Sequence, residues 1–304
     1  MAAKESIRVG NRRLEVSNLD KTFYPETGFS KGDVIAYYRE VAGTVLPYLK
    51  GRPVTLKRYP DGVTGGFFYE KRCPPHRPEW IRTIPMRRQK DNKDVEYCAV
   101  DNAAALVWAA NLGNLELHAT LAREPDLGRP LSVVFDLDPG PPAGILECAG
   151  IAVRLRDFFE ELGVEALCKT SGSKGMQMYL PLNTKVTYEQ TAGFALTTAN
   201  LLQEQTPSLV VTKMKKEVRE GKVLIDWSQN DGHKTTVCPY SLRARPRPTV
   251  STPVSWTEVE HALRKKDPAL LVFETHDVIK RIEEHGDLFE PVRKLHQKLP
   301  KIET

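Results

Sequence analysis

The run Leu131-Ser-Val-Val-Phe-Asp-Leu-Asp-Pro-Gly140 constrains this chain more than any other segment. Leu131 to Phe135 are mostly β-branched or aromatic, so they read as a buried strand, and Pro139-Gly140 ends it. Ala143 to Leu162 then carries apolar residues at helical spacing and closes at Gly163, after which Ala166 to Lys169 is again strand-like. Strand, amphipathic helix and strand in succession indicate an α/β organisation. Residues two apart in a strand share a face, so Asp136 and Asp138 project together at the strand's exposed tip. Two carboxylates side by side repel one another unless cations lie between them. Hard divalent ions prefer such oxygen ligands, and a pair of them commonly drives phosphoryl transfer. A D-x-D alone is more often a capped turn or a solvated strand end, so the segments that follow decide its meaning.

Thr170-Ser-Gly-Ser-Lys-Gly-Met-Gln-Met-Tyr-Leu-Pro-Leu182 is a glycine-rich turn leading into an alternating apolar segment. Gly172 and Gly175 allow close backbone approach, while Ser171, Ser173 and Lys174 supply donors, the outline of a phosphate cradle. It is not the P-loop of nucleotide hydrolases, whose glycine spacing is longer. The plain alternative is a serine-glycine hairpin with a surface lysine. Gly221-Lys-Val-Leu-Ile-Asp-Trp-Ser-Gln-Asn230 ends another apolar strand on a third acid, Asp226, which is alternatively a cap. Lys234-Thr-Thr-Val-Cys-Pro-Tyr-Ser-Leu-Arg-Ala-Arg245 offers Arg243 and Arg245 for bidentate oxyanion binding.

Ser30 to Tyr48 reads as a helix capped by Ser30 with Asp33 in its first turn, and Pro53 to Tyr59 and Val95 to Val100 as strands. Asp101 caps an alanine-rich helix ending near Gly113, Leu115 to His118 is a strand, and Tyr188 to Glu204 is a helix. Two short helices, Trp256–Arg264 and Val278–His285, lie in the tail, and proline-rich Arg243–Pro253 reads as a linker. At 304 residues the chain is one large domain or two lobes. No apolar stretch reaches the length of a membrane span, and the opening Met1-Ala-Ala-Lys-Glu-Ser has no signal core. Five scattered cysteines suit reduced thiols in a cytosolic protein. Cys73-Pro-Pro-His76 is the single close Cys/His pair, so no zinc is expected. Net charge is only +5, which excludes a polycationic DNA coat. Lys21, Lys31, Arg52, Lys57 and Arg58 form one basic cluster, and Lys213, Lys215, Lys216, Arg219 and Lys222 another. Such runs are usually solvated faces, but flanking a phosphoryl-transfer site they suggest a DNA track.

The trio FDLDPG, TSGSKG-x-x-x-Y-x-PL and DWSQN followed by KTT-x-x-PYSLR resembles the archaeo-eukaryotic primase superfamily. More narrowly it is similar to the polymerase domain of the ligase D type of ATP-dependent DNA ligase used in nonhomologous end joining. The similarity begins near Asn18-Leu-Asp-Lys-Thr-Phe-Tyr-Pro25, continues through Gly51-Arg-Pro-Val-Thr-Leu-Lys-Arg58 and runs at least to Asp287. It implies a primase-polymerase fold of mixed, largely antiparallel sheets flanked by helices, with the active site between the sheets. Residues 1–304 would form a single nucleotidyltransferase domain, with two lobes as an option and C-terminal helices at 255–300.

The resemblance also implies roles. Asp136, Asp138 and Asp226 match the catalytic, metal-binding acids for two Mn²⁺ or Mg²⁺ ions. His118, Ser171, Lys174, Gln177, Gln229, Arg243 and Lys57 match nucleotide-binding positions, although His118 read alone is a core histidine. Asn18, Lys21 and Lys31 match the holders of a downstream 5′-phosphate, and Phe68-Tyr69 an aromatic pair that packs on bases near the template, usually two phenylalanines. Arg219 falls in a loop associated with end synapsis. Where the family carries histidine two residues before its tyrosine, this chain has Gln177, an amide that cannot carry charge or move a proton as imidazole does.

The implied activity is DNA-dependent addition of nucleotides to a primer 3′-hydroxyl at gaps or double-strand break ends, in nonhomologous end joining and with ribonucleotide preference. The implied partners are 5′-phosphorylated gapped or broken duplex DNA, NTP or dNTP, Ku and an ATP-dependent DNA ligase, in the cytoplasm at the nucleoid and with no membrane. Two alternatives stand beside it: a stand-alone primase-polymerase filling gaps in excision repair, and a non-catalytic module binding 5′-phosphorylated ends. The chain lacks the K-x-D-G of a ligase and is too short for fused ligase and nuclease domains, so it reads as a stand-alone enzyme or an excised domain.

Overall fold

The computed structural model describes residues 4–88 and 90–302; the first residues of the segment read for a signal core lie outside them. The chain divides into two compact units. The first comprises residues up to Pro125 with Thr235–Val250 and Glu274–Glu284; the second comprises Asp126–Lys234, Ser251–Phe273 and the chain from His285 onward.

The first unit begins with two hairpins, β1 (Lys4–Val9) with β2 (Arg12–Ser17) and β3 (Thr22–Tyr24) with β4 (Phe29–Ser30). The helix expected over Ser30–Tyr48 is two helices, α1 (Lys31–Glu40) and α2 (Ala42–Leu49), interrupted at Val41. Val41 and Gly43-Thr44 are weak helix formers, which locates the break. Ser30 does cap α1: its hydroxyl accepts from the Asp33 N–H, and the Asp33 carboxylate accepts from the Ser30 N–H. The sheet contains β5 (Pro53–Arg58), β6 (Phe68–Glu70), β7 (Thr83–Arg87), β8 (Asp94–Ala99), β9 (Asn114–Ala119) and β15 (Thr236–Val237). Its order is β15-β9-β5-β8-β7, with β6 also on β5. The buried alanine-rich helix α3 (Ala103–Asn111) packs on α1 and β9 and is capped by Asn102 rather than Asp101. Asp101 is drawn away by the Gly51 N–H and the Arg82 guanidinium. Tyr37 and Tyr38 of α1 donate to the carbonyls of Tyr240 and Leu115, and Tyr24 donates to that of Arg243, so buried hydroxyls fix the backbone that carries Arg243. Helix α7 (Thr275–His285) completes this unit but for its last residue.

Cys73 and Cys98 form a disulfide, correcting the reading of all five cysteines as thiols. The Cys73 N–H donates to the Glu96 carbonyl, which brings the loop after β6 alongside β8. Cys148, Cys168 and Cys238 are buried thiols.

The second unit is built on β10 (Ser132–Pro139), α4 (Ile145–Glu161), β11 (Leu167–Thr170), β12 (Met176–Pro181), α5 (Tyr188–Gln205), β13 (Val210–Val211), β14 (Val223–Asp226), β16 (Pro253–Val254), α6 (Trp256–Lys265) and α8 (Pro291–Lys294). Sheet order is β13-β14-β10-β12-β11-β16, antiparallel except for the β13–β14 pair. Val133, Phe135 and Leu137 point to one face of β10 and join a core with Cys148, Ala152, Phe159 and Phe194 of α4 and α5. The alternate residues, among them both acids, face the other way. The proline-rich stretch read as a linker contains the passage from one unit to the other at Val250–Ser251, yet it is ordered. Ser251 and Thr252 are buried, and Pro253 lies in edge strand β16, where its missing N–H is tolerated. Among the described residues no helix is long and apolar enough to cross a membrane.

Candidate active site

Strand β10 runs through Pro139, so the two acids lie within the strand rather than beyond it. Asp136 stands directly opposite Asp226 on β14 and directly opposite Gln177 on β12, and Gln177 stands opposite Lys169 on β11. Directly opposed residues of antiparallel strands share a face. Asp226, Asp136, Gln177 and Lys169 therefore form one row across four strands, with Asp138 two residues along β10 on the same face. Burial, then the charge of Asp138, push the Asp136 carboxyl up to about 7, and Asp226 adds to the effect. A hydrogen bond from Gln177 and the charge of Lys169 oppose it.

Asp226 is the cap its sequence allowed. Its Oδ1 accepts from the Ser228 N–H at 2.9 Å and the Ser228 hydroxyl at 2.6 Å, and its Oδ2 accepts from the Gln229 amide at 2.9 Å. Lys234 Nζ donates to the Ser228 hydroxyl at 2.6 Å. Gln229 thus engages an acid, not open space. Among the described residues no three His, Cys, Asp or Glu side chains already converge as a metal-ligand group. The donor chemistry nonetheless fits hard divalent cations: three oxygen acids on one face, with the Asp136 carboxyl raised first by burial and then by the charge of the other two. Lys169, which is fully buried and donates to the Ser251 hydroxyl at 2.5 Å, went unnoticed in the sequence because a single lysine in a short strand carries no signal.

The Ser171–Gly175 turn packs against the same strand. A Cβ on Gly175 would lie 1.9 Å from the Leu137 carbonyl oxygen, and one on Gly140 would lie 1.9 Å from that of Arg219. Glycine is required at both positions because backbone passes where a side chain would begin. Ser171 is buried, and its hydroxyl accepts from the Ser173 and Gly175 N–H groups at 3.2 Å each, shaping the turn. Lys174 is exposed at its tip. Arg219 donates to the Met214 carbonyl within the loop that approaches Gly140.

The first unit holds the remaining residues. Glu116 is buried on β9, and its Oε1 lies 3.2 Å from Lys57 Nζ and accepts from the Tyr59 hydroxyl at 3.3 Å and the Ala244 N–H at 3.2 Å. Its Oε2 lies 3.0 Å from His118 Nε2 and 3.3 Å from Arg243 Nε. Burial alone would raise the Glu116 carboxyl, but His118, Arg243 and Lys57 outweigh it and hold it well below the usual carboxylate range. Burial lowers the His118 imidazole, partly offset by Glu116. Glu116, the acid that joins these three cations, carries no signal in the sequence.

Lys57 also lies 4.6 Å from the Phe67 ring centroid and 5.4 Å from that of Tyr69, and Arg58 lies 5.0 Å from that of Phe68. Phe67, Phe68 and Tyr69 are 53%, 44% and 57% exposed, so Phe67 stands exposed beside the Phe68–Tyr69 pair. Lys31 is buried and donates to the Ser17 carbonyl at 2.6 Å, while its N–H donates to the Lys21 carbonyl at 2.8 Å. Burial, then Lys21, lower the Lys31 ammonium to about 8. Lys21 itself reaches Asp61 at 2.6 Å and the Pro60 carbonyl at 2.8 Å. Asn18, exposed with φ +56°, starts the turn that accepts the Lys21 N–H. Arg52 and Arg58 of the first basic cluster are engaged, by the Thr120 carbonyl and by Glu70 respectively, whereas Lys213, Lys215 and Lys216 are exposed.

The family model described as LigD, primase-polymerase domain, matches residues 30–289. The multifunctional non-homologous end joining DNA repair protein LigD of Mycobacterium tuberculosis is 38% identical over 287 residues, covering 92% of this chain and 37% of the relative. The bifunctional non-homologous end joining protein LigD of Bacillus subtilis is 32% identical over 275 residues, 90% of this chain and 43% of the relative. The chain thus spans about two fifths of the length of these relatives. The polymerase domain from Mycobacterium tuberculosis ligase D in complex with DNA superposes with a TM-score of 0.86 at 37% identity, covering 94% of this chain and 100% of that one.

Proposed function

Because the chain belongs to the LigD primase-polymerase domain family, we propose that it adds nucleotides to a primer 3′-hydroxyl at gaps and broken ends during nonhomologous end joining. The observation that carries the reading is the row of acids: Asp136 opposite Asp226, with Asp138 beside them on one face. Three carboxylates facing one way repel one another, a cost that bound cations would turn into an attraction.

Asp136, Asp138 and Asp226 would hold two divalent ions, which when bound favour deprotonation of the 3′-hydroxyl and neutralise the leaving pyrophosphate. Gln177, Ser228 and Gln229 orient the acids through hydrogen bonds. Lys174, on the turn shaped by Ser171, supplies charge to the triphosphate, as do Lys57, His118 and Arg243. Lys21, Lys31 and Asn18 bind the downstream 5′-phosphate, Phe68 and Tyr69 stack on bases, and Arg219 belongs to the loop that engages a second end. The two units together form one domain. Ribonucleotide preference, use of manganese or magnesium, the Ku and ligase partners and residence at the nucleoid belong to the same proposal. The end-joining role in the relatives' names supports the partners, while the nucleotide and the metal are decided by the assay below.

Extension of a labelled primer on a gapped duplex tests the reading. The comparison runs with and without a 5′-phosphate, with NTP or dNTP, and with Mn²⁺, Mg²⁺ or chelator. Metal-dependent addition is expected, abolished in Asp136→Ala and Asp138→Ala while gel-shift binding persists. Extension by either variant at the wild-type rate refutes the assignment.

A further inference from the structure

We infer that Glu116 is the positioning residue that assembles Lys57, His118 and Arg243 into one anion-binding surface and fixes which nitrogen of His118 faces the anion. The inference rests on the reading of that cluster as a nucleotide site and names the residue that organises it.

The side-chain exposures give the arrangement a direction. Glu116 is 3% exposed, whereas Lys57, His118 and Arg243 are 13%, 15% and 17% exposed. The carboxylate is the floor, and the cations reach past it toward solvent. They come from separate places in the sequence: Lys57 from β5, His118 from β9 beside Glu116, and Arg243 from the segment after β15. Each carboxylate oxygen has its own set, with Lys57, Tyr59 and Ala244 on Oε1 and His118 and Arg243 on Oε2. Removing the acid therefore releases groups on two sides at once. The charge count points outward too. One carboxylate faces two permanent cations and a histidine, so the cluster keeps a positive surplus even with imidazole neutral. A buried carboxylate needs one good partner for its own stability; three leave charge to spare for an anion.

Glu116 also sets the tautomer. A carboxylate 3.0 Å from Nε2 places the proton there, so Nδ1 carries the lone pair when the ring is neutral and becomes a donor only when it is protonated. The charged or titratable groups facing His118 are Glu116 on its own strand, Lys57 on β5, Tyr69 on β6 and Arg243.

The test uses Glu116→Gln, nearly isosteric, read three ways. Side-chain ¹⁵N NMR of nucleotide-free protein, with His118 assigned by its loss in His118→Gln, should show the Nε2–H tautomer in wild type. In Glu116→Gln the His118 titration should move down by about one pH unit or more, since an opposing charge at hydrogen-bond distance is lost. Nucleotide Kd should rise about tenfold or more as a charge-assisted contact disappears, while gapped-DNA affinity stays within about twofold. If Glu116 only dilutes positive charge, its removal should instead tighten triphosphate binding. Unchanged or tighter nucleotide binding overturns the inference, as does an Nδ1–H tautomer in wild type, a result available even if the variant fails to fold. Arg243→Ala and His118→Ala separate the two levels of the argument. If neither weakens nucleotide binding, the nucleotide reading of the cluster fails, and the NMR result still decides whether Glu116 holds His118.

Discussion

Replacing Gly175 with alanine should disable the acids without touching them. The added Cβ would start 1.9 Å from the Leu137 carbonyl oxygen, 3.1 Å from its carbonyl carbon and 3.2 Å from Pro139 Cδ. Side-chain carbons essentially never come within 3.0 Å of such atoms, so the turn and strand β10 must separate by about 1 Å. Leu137 lies between Asp136 and Asp138, and its own side chain is fully buried, so β10 cannot recoil without disturbing its core face. Overpacking of this kind costs about 1–3 kcal/mol of stability. A displacement of ~1 Å at reacting groups costs on the order of a hundredfold in rate. Single-turnover primer extension well below the melting temperature should therefore fall about a hundredfold, with gapped-DNA affinity little changed. Gly163→Ala is the control: Gly163 has φ +72° with no atom near its would-be Cβ, so alanine there should cost about 1 kcal/mol in Tm terms and almost no rate. If Gly175→Ala extends primers near the wild-type rate, or loses rate only as far as Gly163→Ala does, the close approach of turn and strand does not govern the chemistry.

Three further outcomes follow from the electrostatics. The Asp136 carboxyl is raised to about 7, first by burial and then by Asp138, so metal-free protein loses stability as pH climbs from the ordinary carboxylate range through 7. Discounted for partial exposure, the loss is on the order of 2 kcal/mol, so Asp136→Asn should melt higher than wild type at pH 8 with chelator, an advantage that vanishes near pH 4. The Lys31 ammonium, lowered to about 8 by burial and then Lys21, loses its charge as pH rises through that value. Preference for a 5′-phosphorylated gap should therefore shrink between pH 7 and 9 in fluorescence anisotropy, while Lys21→Ala/Lys31→Ala shows no preference at either pH. Asp61 holds Lys21 at 2.6 Å in an exposed pair, so Asp61→Asn should tighten binding to that gap by no more than about fivefold, the worth of such a pair. Weaker binding would mean that Asp61 positions Lys21 rather than competing for it.

What was legible in the sequence was local. The period of two put Asp136 and Asp138 on one face, the small and polar residues of 170–175 marked a turn, and Ser30 with Asp33 marked a helix start. What was not legible required the chain to return on itself. Glu116 reads as one more strand residue until Lys57 and Arg243 arrive from distant segments. Cys73 and Cys98 are 25 residues apart with nothing in their spacing to mark a pair. Asp101 reads as the cap in place of Asn102 because the competing attraction of Arg82 and Gly51 exists only after folding. The proline-rich segment looked like a tether because composition does not reveal that an edge of β11 awaits it.

The row Asp226–Asp136–Gln177–Lys169 ties the appearance of activity to the kinetics of folding. A slip of one residue between β10 and either neighbour would turn the acids into the apolar layer and Phe135 or Leu137 out of it, so the register that buries the core is the register that assembles the acids. Strand β14 joins β10 from a part of the chain about 90 residues downstream, a pairing of high contact order that forms late. A refolding chain can thus regain helix and compactness while it has no catalytic face at all, and its enzymatic half-time should trail its circular-dichroism half-time.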